Sequence, residues 1–118
     1  MINESDLDAF EYYNSNMMND YQRAAASTAI YPATASVVYP ALGLAGEAGE
    51  VANKVKKIIR DGTFNREAIA DELGDCLWYI AALCRDLNVD MQTIADNNIK
   101  KLRDRQKRGK IAGSGDKR

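Results

Sequence analysis

Two stretches decide how this chain is read: Gly43 to Lys57, GLAGEAGEVANKVKK, and Ala70 to Ile80, ADELGDCLWYI. Side chains on an α-helix advance by about 100° per residue, so with Glu47 at zero, Leu44, Val51, Val55 and Ile58 fall at roughly 20–80° and Glu50 at about −60°. With Glu72 at zero, Ile69, Cys76, Ile80, Leu83 and Leu87 fall at about 20–80° and Asp75 at about −60°. Each stretch therefore predicts a helix with an apolar stripe flanked by a carboxylate pair.

Between the two lies the turn dipeptide Asp61-Gly62. Glu50 precedes Asp61 by 11 residues and Glu72 follows it by 11, while Glu47 and Asp75 lie 14 away on either side. At about 1.5 Å per residue, folding back at this turn places all four acids roughly 16–21 Å from it, on facing sides of an antiparallel helix pair. Four carboxylates so placed repel one another unless protons or cations offset them. All-oxygen donors suit a hard divalent cation, Mg²⁺ or alternatively Mn²⁺. Gly46, Gly49 and Gly74, each costly inside a helix, suggest close approach by another backbone or a ligand.

The rest of the chain reads as helix on either side of this pair. A first helix is expected from about Asp6 to Ala26, with Tyr12, Tyr13 and Tyr21 as packing residues, followed by a linker holding Pro32 and Pro40. The only strand signal is the short ASVVY run. The second helix is expected to begin near Pro40, the third to run from a cap at Asn65 to about Leu87, and the fourth to open after Asp90 and stop at Gly109. The fold class is all-α, four-helix-bundle-like, in a single domain spanning the 118 residues, with 110–118 a flexible tail unless something orders it.

Composition narrows the chemistry. The chain has no histidine, which removes imidazole-based nucleophile systems and histidine-ligated zinc. Cys76 and Cys84 read as small core residues. No apolar run approaches a membrane span and the amino-terminal residues lack signal-peptide character, so a cytoplasmic protein is expected, without a membrane partner. So short a chain buries a modest fraction of its surface, which favours an oligomer.

The net charge of −1 is unevenly spread: residues 1–99 carry 7 basic and 15 acidic side chains, residues 100–118 carry 9 and 2. The basic end implies an anionic ligand or a nucleic-acid tail. On the fourth helix Asn98, Lys101, Arg105 and Arg108 form a polar stripe beside the apolar Met91, Ile94, Ala95, Ile99 and Leu102. Such a stripe can offset phosphate charge that a metal leaves uncompensated. Lys54 either reaches phosphate or pairs with Glu50 one turn away, the pairing being favoured. Trp78 and Ala81 lie opposite the third helix's apolar stripe, where a subunit interface or a stacked base would cover the indole.

GLAGEAGE, ADELGDCLWYIAAL and NNIKKLRDRQKRG together resemble the MazG family of all-α nucleoside triphosphate pyrophosphohydrolases, over Tyr21 to Arg118. The ending RGKIAGSGDKR is similar to short single-domain members, many of them phage-encoded, for which the host cytoplasm is the expected location. The resemblance implies Mg²⁺-dependent hydrolysis of a (deoxy)nucleoside triphosphate to monophosphate and pyrophosphate, in a homodimer or homotetramer. It maps the metal carboxylates onto Glu47, Glu50, Glu72 and Asp75 and the phosphate-binding cations onto Lys101 and Arg105. Glu50 is the expected base, and Asn98 and Lys54 are further substrate contacts. Many members carry Glu-Glu-x-x-Glu where this chain has Gly46-Glu47-Ala48-Gly49-Glu50, one carboxylate fewer. Two other readings stay open: a nucleic-acid-binding helical module using the basic C-terminal segment, and a purely structural or protein-interaction bundle.

Overall fold

The computed structural model describes residues 17–118, and among them every regular element is helical. Helix α1 spans Met17–Ala26, α2 Val38–Asp61, α3 Arg66–Asp86 and α4 Met91–Lys107, with a 3-10 turn at Ala33–Ala35. Tyr12, Tyr13 and the expected start of the first helix lie outside the described residues; its end at Ala26 is where the sequence placed it.

Local chemistry sets the boundaries. Gly62 terminates α2 in the left-handed region, at φ 72°, and its N–H returns to the Ile58 carbonyl at 2.8 Å. Asn65 caps α3 by accepting from the Ala68 N–H at 3.0 Å. Asp90 caps α4 through the Thr93 N–H at 2.9 Å. Helix α1 completes that cap from outside: Gln22 accepts from the Met91 N–H at 2.8 Å and Asn19 from the Gln92 N–H at 2.9 Å. Three of the four orphan donors at the start of α4 are thus met by side chains, which fixes α1 against that helix end.

The ASVVY run forms no strand. Ala35 ends the 3-10 turn, and the Val38 N–H bonds to the Ser36 carbonyl at 2.8 Å around Val37, which stands at φ 69° and ψ −54°. This is a γ-turn of positive φ, a strained conformation for a β-branched residue. Helix α2 then begins at Val38, two residues before the fully buried Pro40, which sits in the first turn where a missing N–H costs nothing.

Helices α2 and α3 form the antiparallel pair, and α1 packs on α3 through small side chains. Ala25, Ala81, Cys84 and Met91 are the buried cluster, with Tyr21, Trp78 and Ile80 against it. This overturns the outward placement of Trp78 and Ala81: Ala81 is 1% exposed, and the Trp78 indole N–H donates to the Thr28 hydroxyl at 2.8 Å. Helix α3 has two apolar faces, one for α2 and one for α1, and the second is built of alanine so that backbones can approach. The far end of the expected stripe, Leu87, is 55% exposed. Burial of Met91 contributes about 2 kcal/mol to the α1–α4 corner. Cys76 and Cys84 are both free thiols, partly and fully buried.

Beyond Ala95 every residue of α4 is exposed except Arg105. Residues 110–118 fold back on this helix: the Arg118 guanidinium donates to the carbonyls of Lys110, Ile111 and Gly115, Arg108 donates to the Arg118 backbone oxygen, and Arg105 to the carbonyl of Asp116.

Candidate functional site

The register of the α2–α3 pair is set about Asp61. Gly43 meets the Tyr79 ring, Glu47 meets Asp75, and the Lys54 ammonium reaches the Ala68 carbonyl at 3.2 Å, each pair equidistant in sequence from Asp61. One oxygen each from Glu47, Glu72 and Asp75 lies within 4.8 Å of the others, with Glu47 and Glu72 partly buried and Asp75 exposed. Glu50, though level with Glu72 along the pair, is exposed and stands outside this group. Helix azimuth decides this: Glu50 lies on the outer flank of α2, while Glu47 faces the seam.

The cluster is balanced from within. The Lys54 ammonium bonds to Glu72 at 2.7 Å across the helix pair, not to Glu50 on its own helix as the sequence suggested. The level of Lys54 with Ala68 explains the choice, because the long side chain spans the seam to the partly desolvated Glu72, 15% exposed, rather than to a solvated neighbour. The hydrogen bond from Lys54, and then one with Glu47, hold the Glu72 carboxyl below the usual range. The Glu47 carboxyl is raised, first by its side-chain hydrogen bond with Glu72, then by burial and the charges of Glu72, Asp75 and Glu50. One carboxylate is held ionised by an amine and its neighbour is pushed towards holding a proton, as closely spaced like charges require.

Beside the acids opens a cavity of about 350 Å³ lined by Glu47, Asp75, Trp78 and Tyr79. Tyr79 meets Trp78 edge-on at 5.1 Å between centroids and Tyr39 at 6.3 Å, and Tyr39 stacks on Tyr31 at 4.7 Å. On α1, burial and then the charge of Asp75 raise the Tyr21 phenol. Tyr79 and Tyr39 were not singled out from the sequence; the available signal was the position of Tyr79 one turn after Asp75, on the same face of α3. Among the glycines, Gly46, Gly49 and Gly74 have open space around them, and the close approach within the chain is at Gly43 instead.

Residues 40–109 match the family described as the MazG nucleotide pyrophosphohydrolase domain. The chain belongs to the MazG family. It is also 48% identical over 109 residues to the Gene 37 protein of Mycobacterium phage L5, covering 83% of this chain and 96% of that relative. No solved structure matches the chain. Glu47, Glu50, Glu72 and Asp75 all lie inside the MazG segment, as do Asn98, Lys101 and Arg105.

Among the described residues no hydrogen bond or ion pair links that last trio to Glu47, Glu50, Glu72 or Asp75. Asn98 and Lys101 are exposed, and Arg105, 7% exposed, is covered by the C-terminal segment. A hard divalent cation fits the donor set, since three oxygens on two helices already converge and all are carboxylates. Helices of the described residues are too short or too polar to cross a membrane.

Proposed function

We propose that this MazG chain hydrolyses the α–β phosphoanhydride of a (deoxy)nucleoside triphosphate, giving the monophosphate and pyrophosphate, and so shapes a nucleotide pool in the cytoplasm, that of the host if the chain is phage-encoded. The observation that carries this reading is the convergence of Glu47, Glu72 and Asp75 beside an aromatic-walled cavity, within the segment matched to nucleotide pyrophosphohydrolase domains.

Glu47, Glu72 and Asp75 would hold Mg²⁺, or Mn²⁺ in its place, and Glu50, outside their group, would be a fourth ligand only if its side chain turned in from the flank of α2. When bound, the cation neutralises phosphate charge and polarises the phosphoryl group. Lys54 keeps Glu72 ionised and aimed into the seam. Glu50, close enough for its charge to reach Glu47 and Lys54, is free of the tight cluster and orients the attacking water as base. Trp78 and Tyr79 line the cavity, and the nucleobase stacks against this aromatic wall. Asn98, Lys101 and Arg105 bind the phosphates; for Arg105 this requires exchanging the Asp116 carbonyl for a phosphate oxygen.

A homodimer or homotetramer accounts for the apolar surface left uncovered on three helices: Leu42 and Ile59 on α2, Leu73 on α3, and Ile94, Ile99 and Leu102 on α4, each between 39 and 86% exposed. The nucleic-acid reading has less to use, because Arg105, Arg108 and Arg118 are engaged with the chain's own carbonyls.

The test is incubation with each common ribo- and deoxyribonucleoside triphosphate and Mg²⁺, with products separated. Monophosphate plus pyrophosphate is the expected result. Diphosphate plus phosphate, or no turnover of any nucleotide, overturns the reading.

A further inference from the structure

Gly43 lies on α2 one turn before Glu47, and its missing side chain is structurally consequential. A Cβ built there would stand 2.1 Å from Tyr79 Cε1 and 2.5 Å from two further ring carbons. No heavy-atom pair tolerates such a contact, and the obstacle is an aromatic ring rather than the end of a flexible chain. The ring occupies the notch that glycine leaves in the helix.

The ring has few places to retreat. Trp78 stands edge-on to it at 5.1 Å and is itself tied to Thr28 by the indole N–H. Tyr39 stands on another side at 6.3 Å, backed by Tyr31 at 4.7 Å. That backing is anchored: Asp86 accepts from the Tyr31 hydroxyl at 2.8 Å and from the Val37 N–H at 2.9 Å, and Arg85 lies 5.5 Å over the Tyr31 ring. Asp86 thereby clamps the strained γ-turn from which α2, and with it Tyr39 and Gly43, departs. The unfilled space next to Tyr79 is the cavity it shares with Glu47, Asp75 and Trp78. A side chain at position 43 drives the ring into that space.

We propose that Gly43 is a positioning residue that sets nucleobase selectivity: by seating the Tyr79 ring in α2 it fixes the aromatic wall of the cavity beside the carboxylates. The inference rests on the nucleotide reading above, with the base against Tyr79 and the phosphates towards the acids. Substitution at Gly43 therefore changes how the nucleoside is held and leaves the phosphate end untouched.

The experiment is a double-mutant cycle on the full chain with Mg²⁺, using Gly43→Ala, Tyr79→Ala and the pair, each checked for helix content by circular dichroism. Calorimetry reads the affinity for the eight common nucleoside monophosphates and, separately, for inorganic pyrophosphate. Gly43→Ala is expected to weaken the preferred monophosphate about tenfold, the scale of one lost base–aromatic contact, and to narrow the spread among bases, with pyrophosphate affinity unchanged. The pair should be no weaker than Tyr79→Ala alone, because truncating the ring removes the clash. Additive losses overturn the proposal, as does a parallel fall in pyrophosphate affinity or a Gly43→Ala protein that binds like the parent. These binding outcomes stand apart from turnover: a parent chain that releases no pyrophosphate sinks the enzymatic reading, whereas an active parent with an additive cycle sinks this inference alone.

Discussion

The α2–α3 pair and the α4 arm treat their charges in opposite ways. In the pair, Glu47, Glu72, Asp75 and Lys54 face one another across a seam, and the Glu47 and Glu72 carboxyls are shifted in opposite directions, each first by a partner on the other helix. On the arm, the apolar stripe is uncovered and the guanidinium groups of Arg105, Arg108 and Arg118 turn to carbonyls of the C-terminal segment. A pair of helices joined by a four-residue turn has a register fixed by its own length. A helix whose outer half meets no other helix among the described residues bonds there to the C-terminal segment.

The contrast breaks most sharply at the acids. Under the proposed mechanism Glu72→Gln lowers turnover by about a thousandfold or more while helix content by circular dichroism stays at the parental level. An active, folded variant removes Glu72 from the chemistry.

At the anchor behind the aromatic wall, Asp86→Ala strips the Tyr31 hydroxyl and the Val37 N–H of their acceptor, and a loss of about 3 kcal/mol in urea unfolding is expected. Burial pushes the Asp86 carboxyl up, but the Val37 N–H, the Tyr31 hydroxyl and Arg85 outweigh it and hold the carboxyl below its ordinary range. A depressed folded-state value means the stabilisation is present above the unfolded carboxyl's range and is lost as pH falls through the folded value. The parent should therefore lose stability on acidification below about pH 4, and Asp86→Ala should lack that component of the slope.

Lys54→Met sharpens the comparison from the cation's side. Without the ammonium beside Glu72 the three carboxylates depend on a bound cation, so the rise in Tm on adding Mg²⁺ should exceed that of the parent. An equal rise in both proteins shows that Lys54 does not offset the cluster. On the arm the expected effect is smallest: Arg118→Ala frees residues 110–118, seen as faster amide exchange there, while global stability shifts by less than about 0.5 kcal/mol.

Much of this was legible in the residues. The cap at Asn65, the opening of the last helix after Asp90 and the turn at Asp61-Gly62 depend on residues within one turn of themselves, so they read directly from sequence. The meeting of Glu47 with Asp75 followed from equal counts on either side of Asp61, since rise per residue is the same in every helix. The inward turn of Trp78 and Ala81 was not legible, because α3 has two apolar faces and periodicity does not say which neighbour covers which.

The sequence by itself determined the heights: where helices begin and end, and which residues come level when the chain folds back, because these depend on local hydrogen bonding and a constant rise. Only the tertiary structure decided the directions. Lys54 across to Glu72, Glu50 out to solvent, Tyr79 into the notch at Gly43 and Arg105 onto the tail are choices among partners several residues or a whole helix away. Azimuth is settled by packing, and packing is a property of the assembled helices rather than of any one of them.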